Sequence, residues 1–356
     1  MNNYKFLKLE QINRSEPTKE RRQNYLRLDK NERAEPHQRH FFNKLKKSIN
    51  SDLVSAYPDL FNLYNILSKK LKISKKKILL TQGADHAIKN CFEVFYKKNS
   101  NVIILDPTFV MVNIYCKIFK TKTIKIGYKK NLILDFDKLI KSLNKNVSMV
   151  ILANPNSPSG TIISDKKILE ILHICRRKKI QLIIDEAYYE FSKSNSIKYL
   201  RKFSNLTIIR TFSKIYGLAG LRIGYLLSSE SNLKKFYAIK PMYEINSIAA
   251  KSAEIILKSK HLINDYLSEM MNGLKYAENF CSKYGFKILK TNANFFYIKF
   301  KYNSRLIKTL LKKKGILVKQ GSSNLGLQNY LRISYASANS IKKTLSIIIN
   351  LNEKTN

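Results

Sequence analysis

The spacing of apolar and polar positions changes rhythm twice along the chain. Residues 1–50 are polar and irregular until Phe41–Ile49, where the spacing predicts a helix. Ser55–Leu60 centres on Pro58 and reads as a turn, and Leu60–Leu71 reads as a helix. From Lys77 onward short apolar runs recur. Ile78–Leu80, Val102–Leu105, Thr123–Ile126, Val147–Leu152, Gln181–Ile184, Leu206–Ile209 and Ile223–Leu227 are expected as strands. Helical spacing lies between many of them, at Ala84–Tyr96, Thr108–Phe119, Phe136–Leu143 and Ser164–Arg177. Strands alternating with helices predict an α/β fold with a largely parallel, doubly wound sheet. After about Glu244 the texture changes. Long helices at Ile248–Leu257 and His261–Tyr284 precede short strands at Phe286–Leu289, Phe295–Phe300, Ile316–Lys319 and Leu331–Tyr335, with helices at Ser304–Lys314 and Ser340–Leu351. This predicts a smaller α+β domain with a boundary near Pro241.

A chain of 356 residues is long for one domain and comfortable for two. No apolar run is long enough to cross a bilayer, and the opening MNNYKFLKLEQINRSEP lacks the apolar core of a secretion signal, so the cytoplasm is the expected compartment and no membrane partner is expected. The cysteines at positions 91, 116, 175 and 281 are scattered and the five histidines do not join them, so neither a metal site nor a disulfide framework is expected. The net charge of +41 raises nucleic-acid binding. The basic residues are spread over the whole length, however, without a basic tail or a nucleic-acid module. A Lys-, Asn- and Ile-rich composition accounts for them, and no specific nucleic-acid partner is expected.

The chemistry gathers where expected strands end. In TFSKIYGLAGLRIGY, Thr211–Tyr225, Lys214 follows a buried-strand pattern among Thr211, Ser213 and Arg222. Ligands of open α/β sheets collect at the carboxyl ends of strands. An amine there suits imine formation with an aldehyde cofactor, and the hydroxyls and arginine suit a phosphate. Three more loops occupy similar places. Thr81–Ala87 turns on a glycine into a helix start, whose free N–H groups favour phosphate. Ala153–Thr161, ANPNSPSGT, is a rigid proline-asparagine loop. Ile183–Phe191 ends a strand in Asp185, a carboxylate able to face a pyridinium nitrogen, with Tyr188 three residues on to bond a phenolic oxygen. Each alone can also be read as an ordinary turn or helix cap, though a loop as structured as Ala153–Thr161 more often serves a ligand. Their order, closing on Ser213-Lys214 with Arg222 eight residues after the lysine, is far more demanding.

From about Leu28 to Tyr335 the chain resembles the fold-type-I pyridoxal-phosphate aminotransferases and, among them, the histidinol-phosphate aminotransferase family. The resemblance implies a large cofactor-binding domain at 41–243, built on a mostly parallel seven-stranded sheet between helices. It also implies a small C-terminal domain at 244–356 and an N-terminal segment, 1–40, joining the small domain and a partner subunit. The cofactor would be pyridoxal 5'-phosphate. Lys214 would hold it covalently and then move a proton between the substrate α-carbon and C4′. Asp185 would pair with the pyridine nitrogen and Tyr188 with the ring hydroxyl. Ser213, Arg222 and the Ala84 and Asp85 amides would hold the phosphate, and Phe109 would stack on the ring. Tyr57 would reach the partner's cofactor phosphate across a homodimer. Arg332 would hold the donor's α-carboxylate, and Asn31 would lie beside the substrate.

Two departures stand out. Ser157 occupies the place where relatives carry asparagine, so either Ser157 makes a weaker bond to the ring oxygen or Asn156 swings in to replace it, and Asn156 is the expected contact. Lys319 stands where the histidinol-phosphate enzymes commonly carry arginine, which keeps the charge for an anionic substrate terminus but loses the bidentate fork. The expected activity is amino transfer between glutamate/2-oxoglutarate and an anionic keto acceptor, with histidinol phosphate/imidazole acetol phosphate as the leading pair. Amination of a phosphonate or cell-surface precursor, and decarboxylation of a phosphorylated amino acid, would use the same residues. A basic nucleic-acid-binding protein that merely keeps the fold is the reading from another class.

Overall fold

A computed structural model of the chain describes residues 12, 21–192, 194–300 and 303–352, with side chains to 349. The opening stretch read for a secretion signal, and with it most of the first half of the expected 1–40 segment, lies outside the described residues. Leu26–Arg27 (β1), Arg39–Ser48 (α1), Ser51–Ser55 (α2) and Phe61–Leu71 (α3) come first. The alternating region follows, with Ile78–Thr81 (β2), Gly83–Phe95 (α4), Asn101–Leu105 (β3), Val110–Ile118 (α5), Lys122–Ile126 (β4), Phe136–Ser142 (α6), Val147–Ala153 (β5), Asp165–Arg177 (α7), Gln181–Asp185 (β6), Leu206–Thr211 (β7) and Gly224–Ser228 (β8). Then come Glu230–Ile239 (α8), Ser247–Lys258 (α9), Lys260–Tyr284 (α10), Lys287–Leu289 (β9), Phe295–Lys299 (β10), Ser304–Lys313 (α11), Ile316–Leu317 (β11), Lys319–Gln320 (β12), Tyr330–Ser334 (β13) and Ala338–Asn352 (α12).

Seven strands form the large sheet in the order β2-β8-β7-β6-β5-β3-β4. Only β8 runs against its neighbours, and the other adjacent pairs are parallel. The apolar runs are buried on both faces, and successive residues feed opposite cores. Leu79, Ile104, Ile151, Ile183, Ile209 and Leu226 pack with α4, α5 and α8. Leu80, Ile103, Val150, Ile184 and Ile208 pack with α6 and α7 on the other face. A second sheet, β12-β13-β10-β9, is antiparallel.

The expected strand Ile316–Lys319 is divided in two because its halves serve different partners. β11 runs parallel to β1, whereas β12 pairs antiparallel with β13. Helix α5 begins at Val110 rather than Thr108, and Phe109 stays outside it at φ −56, ψ 126. Strand β8 begins after Ile223, because Arg222 is left-handed at φ 51. Helix α8, which the apolar spacing did not flag, is fixed by its Ser229 cap, whose side chain accepts from Asn232 N, and by burial of Leu233 and Phe236. Among the described residues no helix is long and apolar enough to cross a membrane.

Candidate active site

The carboxyl ends of the parallel strands form one rim. Ala153 pairs with Asp185, and Thr81 and Thr211 both pair with Gly224. Because β8 is reversed, the residues that precede it, Arg222 and Ile223, arrive at this same rim. A cavity of ≈330 Å³ lies there, within the range of cofactor pockets. Ala84, Asp85, Phe109, Ser157, Asp185, Tyr188, Ser213, Lys214 and Arg222 all line it. So do Lys30 and Glu32, which flank Asn31.

One corner is built for an anion. The first amides of α4 have no intrahelical partner and point outward from a positive helix end. The carboxylate of Asp85 is drawn aside by the Tyr115 hydroxyl, which donates to Oδ1 at 2.8 Å, so the backbone rather than the acid faces the corner. Thr211 Oγ1 donates to Ser213 Oγ at 3.0 Å, leaving the Ser213 proton free. Arg222 Nη2 would stand 3.0 Å from a Cβ placed on Gly83. Gly224 is what permits this approach. A Cβ there would sit 2.7 Å from the Arg210 carbonyl oxygen and 2.8 Å from Gly83 C. This corner of amides, one hydroxyl and one guanidinium fits a phosphate.

At the other end of the cavity Asp185 is buried, and its Oδ1 accepts from Ala187 N at 3.0 Å. Burial pushes its carboxyl up to about 6, against the pull of the Ala187 amide and the Lys214 cation. An acid in that position gains from a cationic ring nitrogen. Tyr188 Oη accepts from Asn31 Nδ2 at 3.0 Å, which leaves its own proton free to donate. Burial raises the Tyr188 pKa, but Lys214, the Asn31 amide, Arg332 and the Ser157 hydroxyl together carry it below its ordinary value. Lys214 Nζ lies 5.2 Å from the Tyr188 ring centre and donates to the Lys30 carbonyl at 3.1 Å. Asn31 is left-handed (φ 57). Its own backbone N–H donates to Ser334 Oγ at 3.0 Å, and its carbonyl accepts from Asn294 at 3.1 Å. The N-terminal segment is thereby sewn to β13 and hung over the rim.

Arg332, in β13, is buried and has no acidic side chain in contact among the described residues. Its Nη2 donates to the Asp29 carbonyl at 2.6 Å and its Nη1 reaches Ser157 Oγ at 3.5 Å. Its Nε is buried without a partner. A desolvated guanidinium left this way calls for a carboxylate. Lys319 pairs with Arg332 across the β12–β13 ladder. Its side chain reaches solvent, yet loss of water around the ammonium, then the Arg332 cation, lowers its pKa.

The expectation that Asn156 swings into the cavity is corrected by the geometry. Its amide is fully engaged away from the cavity, donating to the Pro107 carbonyl, Tyr128 Oη and Ser159 Oγ at 3.0, 2.8 and 2.9 Å. Its Oδ1 accepts from Thr108 at 2.8 Å. Ser157 holds the cavity wall instead. Tyr57 does not line the cavity either. It is 78% exposed and stacks on Tyr243 at 4.3 Å. Sequence reading missed the buried pair Arg210–Glu186 (2.8 Å) beneath the Asp185 turn. An arginine inside an apolar strand run was the one signal that could have shown it. It also missed the Lys30, Asp29 and Ser334 contacts, which no local pattern announces.

Residues 2–348 match the family model described as aminotransferase class I and II. A histidinol-phosphate aminotransferase 1 of Carboxydothermus hydrogenoformans is 31% identical over 315 residues, 87% of this chain and 88% of the relative. The histidinol-phosphate aminotransferase of Clostridium novyi is 30% identical over 88% of this chain and 87% of its own length. In fold, the chain is similar to the crystal structure of histidinol-phosphate aminotransferase from Sinorhizobium meliloti in complex with pyridoxal-5'-phosphate. The TM-score is 0.85, with 22% identity and 98% of both chains covered.

Proposed function

From the premise that this chain belongs to the class I and II aminotransferase family and is a pyridoxal-phosphate enzyme, we propose that it exchanges an amino group between glutamate/2-oxoglutarate and histidinol phosphate/imidazole acetol phosphate. The acceptor is supported by the names of relatives that cover more than four-fifths of the chain. The observation that carries the reading is the buried Arg332, without a carboxylate in contact among the described residues, which touches Ser157 on the wall of the cavity lined by Lys214, Asp185 and Tyr188. When bound, the cofactor supplies an electrophilic aldehyde carbon and a ring that accepts electrons.

The roles of the residues follow from their chemistry. Lys214 Nζ would hold the cofactor and, once the substrate amine has displaced it, would be free to move a proton between the substrate α-carbon and C4′. Asp185 Oδ holds the proton on the ring nitrogen, because its own burial leaves it seeking a cation. Tyr188 Oη donates to the ring oxygen, and Ser157 takes the wall position beside it. Ser213, Arg222 and the amides of Ala84 and Asp85 would hold the phosphate, and Phe109 would stack on the ring. Arg332 binds the donor's α-carboxylate with its paired N–H groups. Lys319, beside it in the sheet, would meet the anionic end of the substrate, and Asn31, bonded to Tyr188, would lie beside the substrate. The exposed apolar side chains of Val54, Tyr57 and Met242 support a homodimer, in which Tyr57 would serve the partner's site.

The experiment is absorbance of the cofactor-loaded protein during addition of single amino compounds. Conversion of the cofactor from aldehyde to amine by glutamate and by histidinol phosphate is the expected result. Conversion by glutamate but not by histidinol phosphate would overturn the acceptor, and release of carbon dioxide without a keto acceptor would overturn amino transfer. Lys214→Ala is expected to lose covalent cofactor and nearly all turnover.

A further inference from the structure

The turn that follows Lys214 is gripped from outside by the N-terminal segment. Gly217 N donates to the Lys214 carbonyl at 3.0 Å, and Leu218 N to the Phe212 carbonyl at 2.9 Å, closing the turn. The Gly217 carbonyl faces His37 Nε2 at 3.0 Å. A carbonyl only accepts, so the imidazole carries its proton on Nε2. The contact leaves no slack. Gly217 is left-handed (φ +67), and a Cβ on it would lie 2.8 Å from both His37 Nε2 and Arg33 Cδ. His37 itself is held by its ring contact with Phe41 at 4.3 Å, at the start of α1. Arg33 is held by the face of Tyr266, 3.6 Å from its guanidinium, and by its Nε bond to the Glu35 carbonyl.

We propose that His37 is a positioning residue for amino transfer: its Nε2–H pins the Gly217 carbonyl and so fixes the turn from which Lys214 reaches the cavity. Six residues nearer its start, the same segment offers the Asn31 amide to Tyr188, and beside it the Lys30 carbonyl to Lys214 Nζ. One strap therefore sets the lysine at both its backbone and its tip. Burial, and after it the Arg33 cation, holds the His37 imidazole down at about 4, so the ring stays neutral beside that arginine. The inference rests on Lys214 being the lysine the reaction uses.

The test uses the cofactor-loaded protein with His37→Leu, His37→Gln and Gly217→Ala. Two readouts are taken, steady-state kinetics and amide hydrogen exchange over 212–218. Leu removes the donor at similar bulk, whereas Gln keeps an N–H donor. His37→Leu is expected to speed exchange over 212–218 several-fold and to lower kcat about tenfold with little change in KM, since a small displacement of a reacting group acts on the chemical step. His37→Gln is expected to restore most of both. Gly217→Ala, which drives the turn off the imidazole, is expected to follow His37→Leu. Wild-type exchange and kcat in His37→Leu would overturn the proposal. Equal impairment of the Gln and Leu variants would also overturn it, by showing that ring packing rather than the hydrogen bond matters. A fully active Lys214→Ala would instead remove the role of Lys214, while the exchange data would still judge the clamp.

Discussion

Asp185 is the residue whose environment says most. Its carboxyl is raised from an ordinary 3.8 to about 6, chiefly by burial. The folded, cofactor-free protein therefore holds this proton more tightly than the unfolded chain does. That contribution to stability is fully present below about 3.8 and is lost as pH rises through about 6. Asp185→Asn removes the loss, so the cofactor-free variant is expected to be more stable than wild type at pH 8 by ~1–3 kcal/mol in urea unfolding. The same variant is expected to lose turnover by about 10²-fold or more with cofactor still bound, because a preorganised charge has gone. A lower urea midpoint for the variant would refute the burial argument. Arg332→Lys keeps the cation but not the paired N–H groups, and is expected to raise the donor KM roughly 10- to 100-fold with the cofactor spectrum unchanged. Asp185, Tyr188, Lys214 and Arg222 were legible in the sequence because each stands beside a recognisable strand end. The choice between Asn156 and Ser157 was not. It depends on Pro107, Thr108 and Tyr128, which lie 28–49 residues away and satisfy the Asn156 amide.

Among the elements, β8 is the one on which the anion corner depends. It is the single reversed strand, and its Gly224 lies against both the Arg210 carbonyl and the start of α4. Gly224→Ala places a methyl against backbone atoms that cannot swing aside. It is expected to destabilise the protein by about 1–3 kcal/mol. It is also expected to weaken capture of cofactor, measured by dialysis against graded pyridoxal phosphate. Unchanged capture in a folded Gly224→Ala protein would show that α4 and β8 need not be so close. The strand runs themselves were readable, because both faces are buried and the runs are continuously apolar. The reversal of β8 was not, since an apolar run carries no direction. The division of 316–320 between two sheets was equally hidden, because β11 and β12 are short and their partners, β1 and β13, are distant in sequence.

For the molecule as a whole, charge is the dominant feature. A net +41 on 356 residues repels itself at low ionic strength. Raising salt from about 0.01 M to about 1 M shortens the Debye length from ~30 Å to ~3 Å, and the melting temperature is expected to rise across that range. A fall on adding salt would mean that surface ion pairs such as Lys198–Asp165 outweigh the repulsion.

The sequence by itself determined the strand runs of the large sheet and its helices other than α8, the family and the residues next to its strand ends. These are local properties, written in the periodicity of burial and in short motifs that bend the chain at a strand terminus. Tertiary structure alone decided which of Asn156 and Ser157 meets the cavity. It also decided that Arg332 has no carboxylate in contact among the described residues, and that residues 29–37 close over Lys214 from more than 170 positions away. Those outcomes depend on which backbone and side-chain groups are satisfied by distant partners, and a linear chain does not show where its hydrogen bonds will be met.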